Sequence, residues 1–83
     1  MVSFMKHTDE TTSIGDRIVT ARQCNQLTTA QLSRRLGVQT RTLTSWQNDS
    51  TQPRSNRLAM LAGVLGVSPQ WLLMGEGYGP IRH

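Results

Sequence analysis

The chain has 83 residues, a formal net charge of +4 and a single cysteine. That length supports one compact domain with a small core and little more. Lone Cys24 excludes an internal disulfide. His7 and His83 lie near opposite ends of the chain and form no metal-ligand spacing, so neither a metal nor a cofactor is expected. No apolar run approaches the roughly 20 residues of a membrane span, and residues 1–12 lack the apolar stretch of a signal peptide. A cytoplasmic protein without a membrane role is expected, and Cys24 reads as a small buried residue rather than a redox sensor.

The charge is unevenly placed. Between Arg22 and Arg57 stand Arg22, Arg34, Arg35, Arg41, Arg54 and Arg57, with Asp49 as the only acid among them. The guanidinium fork matches phosphate oxygens and guanine edges, so a polyanionic partner is one reading of this stretch. A solvated basic face is the other, and charge alone does not separate them.

Taken in order, residues 1–12 show no apolar period and read as a disordered arm. A first helix starts at Ser13, whose hydroxyl and Asp16 three residues on form a capping box. Ile14, Ile18 and Ala21 share its inner face. Asn25 or Gln26 ends it, and Asn tolerates the left-handed conformation better. Thr28 and Gln31 form a second capping box, with Leu27 and Leu32 as a hydrophobic staple. Leu32 and Leu36 then point inward, and Gly37 stops this helix. A third helix covers about residues 39–48, with Leu43 and Trp46 as its apolar pair, and Pro53 follows its turn. A fourth, about 55–65, carries Leu58, Leu61, Ala62 and Leu65 on one stripe and ends at Gly66. A fifth opens with Ser68 as cap and Pro69 at the first helical position, stapled by Val67 and Leu72. It ends at Gly75 and Gly77, and residues 78–83 form a short tail. No run alternates with the period of a strand, so the fold is all-α, with residues 13–77 as its domain.

Residues 29–46 work as a unit. Two helices crossing steeply over a short turn need a left-handed residue, which Gly37 supplies, and a small side chain at the crossing, which Ser33 supplies. With Leu43 and Trp46 facing inward, Thr40, Arg41, Thr44 and Ser45 stand outward, where a helix lying in a major groove would present them. Nothing in the sequence pairs a nucleophile with a base, and there is no carboxylate pair or glycine-rich phosphate loop, so an enzyme is not expected.

The stretch 27–38, followed by Leu43, Trp46, Pro53, Leu58, Leu61, Ala62, 65–68 and 71–73, resembles the Cro and phage-repressor family of helix-turn-helix proteins, also called lambda-repressor-like or Xre-like. The resemblance covers about residues 13–77. It implies a five-helix DNA-binding domain that regulates transcription, most simply as a repressor, and a homodimer on a near-palindromic double-stranded operator. Its half-sites would lie roughly 34 Å apart. It assigns base contacts to Gln39, Thr40, Arg41, Thr44 and Ser45, with Arg41 the strongest candidate because Arg pairs bidentately with guanine. It assigns phosphate contacts to Arg22, Thr29, Asn48, Arg54 and Arg57.

The chain departs from the family at five positions. Thr29 stands where relatives often have Gln. Gln47 replaces a Glu that pairs with the Arg at position 22, which leaves either an Arg22–Gln47 hydrogen bond or an Arg22 free for phosphate. Gln39 replaces a better helix cap. Gln26 and Asp49 stand where Gly is common. Met60, Val64, Trp71 and Met74 exceed the needs of one core and either complete it or form a dimer patch. Alternative readings are an antitoxin or controller that also binds a protein such as a toxin, the DNA-binding head of a longer repressor, and an interaction module that does not bind DNA.

Overall fold

A computed structural model of the chain describes residues 12–80. Apart from Thr12, the N-terminal arm expected from the sequence lies outside the described residues, as do residues 81–83 of the expected tail. Among the described residues there are five helices and no strand: α1 (Ile14–Cys24), α2 (Thr29–Leu36), α3 (Thr40–Gln47), α4 (Ser55–Leu65) and α5 (Pro69–Met74). None is long and apolar enough to cross a membrane.

The local signals act where the sequence places them. Ser13 accepts from the Asp16 amide while the Asp16 carboxylate accepts from the Ser13 amide. Thr28 and Gln31 repeat this exchange at α2. The Ser68 hydroxyl accepts from the Trp71 amide, behind Pro69 in the first turn. Each exchange satisfies amides that the first turn of a helix leaves without partners. Gly37 ends α2 with a φ of 73°, a conformation glycine reaches without a Cβ penalty.

The core forms where the apolar stripes meet. Ile18, Leu32, Leu36, Leu43, Leu61 and Leu72 are fully enclosed, one or two from each helix. Ala21, Trp46, Ala62, Leu65 and Val67 complete the buried cluster, and Ile14, Leu27, Val38 and Leu58 seal its edge. Helix α1 packs against both α3 and α5, α2 against α3 and α4, and α4 against α5. Ser33 is 2% exposed at the α2–α3 crossing, and its hydroxyl donates to the Ala30 carbonyl.

The patch residues divide. Val64 and Trp71 pack against the core, while Met60 and Met74 are exposed, joined by Leu73 and Tyr78. The start of the tail is docked, because the Tyr78 carbonyl accepts from the Ser68 amide at 2.8 Å.

Two local expectations change, and one buried residue is added. Asn25 closes α1 with a φ of −92°, and it is Gln26 that takes the left-handed conformation at 59°. Asn25 is otherwise engaged: its amide donates to the carbonyls of Ala21 and Leu65, tying the end of α1 to the end of α4. Cys24 is half-buried rather than enclosed. Arg17 falls on the same face as Ile14, Ile18 and Ala21 and is only 8% exposed, although an arginine is seldom buried. Its Nε donates to the Leu72 carbonyl at 2.8 Å, its Nη2 to Leu73, and its Nη1 to the carbonyl and hydroxyl of Thr12. A cation on the last carbonyls of α5 satisfies acceptors that a helix C-terminus leaves over, and it sits at the negative end of the helix dipole.

Candidate nucleic-acid interface

Helix α3 turns by about 100° per residue. With Leu43 and Trp46 buried, the opposite side falls to Arg41, Thr44 and Ser45. Arg41 and Thr44 are exposed and Ser45 is half-buried. Thr40 lies on the flank toward α2. It is exposed, and its hydroxyl shares a 3.1 Å hydrogen bond with the Ser33 hydroxyl. Gln39 is the exposed N-cap and makes no side-chain cap bond, as expected of a poor capping residue. The α3 N-terminus therefore keeps amides not used by a cap, beside the outward side chains.

One flank of this face is a brace. The Nε of half-buried Arg22 donates to Gln47 Oε1 at 2.9 Å, and its Nη1 donates to the Leu27 carbonyl at 2.8 Å. Gln47 Nε2 in turn donates to Thr29 Oγ1 at 3.4 Å. A hydrogen bond from a charged donor to a neutral amide thus links α1 to α3, and the Gln47 amide extends it to the first residue of α2. Arg22 is engaged with protein groups and is not the free cation that one sequence reading allowed.

The other flank is a shallow cleft of about 490 Å³ lined by Gly37, Val38, Gln39, Thr42, Trp46, Gln52, Arg54 and Arg57. Arg54 is the exposed N-cap residue of α4 and spends no side-chain bond on capping. Arg57 is half-buried, with Nη1 donating to the Leu36 carbonyl at the end of α2. Asn48 is exposed at the end of α3. Arg34 and Arg35 are exposed in the last turn of α2.

Thus Gln39, Thr40, Arg41, Thr44 and Ser45 lie on or at the start of α3. Thr29, Asn48, Arg54 and Arg57 surround it, and Arg22 supports it from behind. Two residues take supporting roles that sequence reasoning did not assign. The Asp49 carboxylate accepts from the Gly15 amide at 2.9 Å, so the loop after α3 caps the N-terminus of α1 from 34 positions away. Gly15 itself lies against the last carbonyls of α3. Neither contact has a local signal, because each depends on a long-range approach.

A short helix, a tight glycine turn and a second helix with a polar outer face, set in a bundle of five, make this a helix-turn-helix domain. Residues 15–78 match the family described as a helix-turn-helix domain, and the chain belongs to it, within the phage-repressor or Xre-like kind. No curated protein matches the sequence. Solved structures do. The P22 c2 repressor in complex with a synthetic operator in the presence of Tl+ is 30% identical, with a TM-score of 0.76, covering 80% of this chain and 100% of that one. The N-terminal DNA-binding domain of SinR from Bacillus subtilis is 28% identical, with a TM-score of 0.67, covering 71% of this chain and 87% of that one. SinR in its complex with SinI is 30% identical, with a TM-score of 0.66, covering 72% of this chain and 59% of that one.

Proposed function

We propose that the chain binds an operator in double-stranded DNA sequence-specifically, as a homodimer, and regulates transcription, most simply by repression. The observation that carries this reading is the outer face of α3. Arg41 and Thr44 stand exposed on a short helix that is anchored by Leu43 and Trp46 and aimed by the Gly37 turn. Such a helix lies in a major groove with its first residues at the base edges. Arg41 then reads guanine, while Gln39, Thr40, Thr44 and Ser45 supply adaptable donors and acceptors. Arg54, Arg57, Asn48 and Thr29 hold the backbone on either side. The P22 c2 repressor, a structural relative, is described with an operator, which supports the same role here.

The homodimer reading draws support from apolar side chains that the fold leaves exposed. Leu73 is 47% exposed, Met74 56% and Tyr78 57%, all at the far end of α5. Selection of the 83-residue protein on a randomised duplex library tests the function. A two-fold-symmetric site with half-sites about one helical turn apart is the expected product. Failure to retain any duplex at low salt would overturn the DNA reading. The SinR–SinI complex favours a second reading, in which a protein partner binds as well. Uniform, salt-sensitive retention without an enriched sequence would point to it.

A further inference from the structure

The Arg22–Gln47–Thr29 chain has a direction fixed by chemistry. A guanidinium only donates, so Gln47 must turn its carbonyl oxygen toward Arg22. That leaves the Gln47 amide facing Thr29, whose oxygen accepts at 3.4 Å. A hydroxyl whose oxygen is used as an acceptor keeps its own proton for another partner. Thr29 is the first residue of α2 and half-buried, and among the described residues its hydroxyl donates to no protein group. Arg22 has no carboxylate partner among the described residues, so its positive charge persists behind this hydroxyl.

We infer that Gln47 is a positioning residue for nucleic-acid binding. By accepting from Arg22 and donating to Thr29, it holds the Thr29 hydroxyl as an outward donor to a phosphate. This rests on the DNA-binding reading and adds to it a residue that touches no DNA. A glutamate at the same place reverses the chain. Its carboxylate accepts from Arg22 and also from the Thr29 hydroxyl, which turns the donor inward and neutralises the cation.

The test is Gln47→Glu in the full chain, with Thr29→Val and the double variant, titrated against a fluorescein-labelled mixed-sequence duplex over a range of salt. Gln47→Glu should bind roughly three- to tenfold more weakly, with a log–log salt slope shallower by about one. Its thermal midpoint should be no lower than the parent's, because an ion pair replaces a hydrogen bond between a cation and a neutral amide. In the Thr29→Val background the loss from Gln47→Glu should shrink, since only the charge effect remains. A lowered midpoint accompanying the weaker binding would reduce Gln47 to a brace and overturn the inference. So would a loss of equal size with and without the Thr29 hydroxyl. A parent that binds no duplex at all would remove the DNA reading itself, an outcome distinct from either.

Discussion

A methyl group on Gly15 would sit 2.7 Å from the Trp46 carbonyl oxygen and closer still to that of Gln47. Both obstacles are backbone, which cannot rotate aside as a side chain can. Gly15→Ala should therefore push α3 away from α1 and cost about 1–3 kcal/mol, the usual penalty for overpacking. Thermal denaturation checks this, and a midpoint equal to the parent's would show that the contact yields. Arg17 presents the opposite problem, a buried cation whose partners are carbonyls. Arg17→Met keeps the apolar stem but removes the donors to Leu72 and Leu73. Leaving such acceptors unpaired costs about 1–3 kcal/mol. Urea unfolding should show a lower midpoint with an unchanged slope, because the surface exposed on unfolding stays the same.

Among the helices and their turns, legibility followed the range of each interaction. The capping boxes at Ser13 and Thr28 and the stop at Gly37 depend on residues three or four apart, and the sequence displays them directly. The turn after α1 does not behave this way. Of the two residues that can end α1, intrinsic tolerance favours Asn25 for left-handed geometry, but the Leu65 carbonyl on α4 claims that side chain. The strained position passes to Gln26, with a φ of 59°. Asp49 is left-handed as well, at 62°, yet its carboxylate caps α1, which offsets the strain. Gln26 is exposed and has no such compensation from its side chain. Gln26→Gly should therefore stabilise the domain by about 0.5–1 kcal/mol, the left-handed penalty less the entropy glycine gives up. The thermal midpoint should rise by a few degrees, and a fall would mean that glycine's entropy dominates. The brace at Gln47 was legible only as one of two options for Arg22. The residues were in view, but which partner the guanidinium chose depended on how α1 and α3 approach.

For the whole molecule, the proposed function divides the arginines into one that reads and one that holds. Arg41 and Arg54 are both exposed arginines whose side chains, among the described residues, make no bond that the fold depends on. Replacing either with Ala should leave stability within about 0.5 kcal/mol of the parent. Any change in DNA binding is then a change in the interface. Arg41 projects from the middle of the outward α3 face, so Arg41→Ala should lose about 1–3 kcal/mol on sites bearing the preferred base and little on others, relaxing specificity at one position. Arg54 stands at the start of α4 across the cleft from α3, and in the proposed complex it would meet the phosphate strand rather than a base edge. Arg54→Ala should weaken binding to every sequence by a similar factor and flatten the salt slope by about one. Fluorescence anisotropy against the selected operator, its single-base variants and an unrelated duplex distinguishes the two. If Arg41→Ala discriminates among bases as its parent does, recognition lies elsewhere on α3. If Arg54→Ala changes base preference while keeping the salt slope, the far side of the cleft reads sequence too.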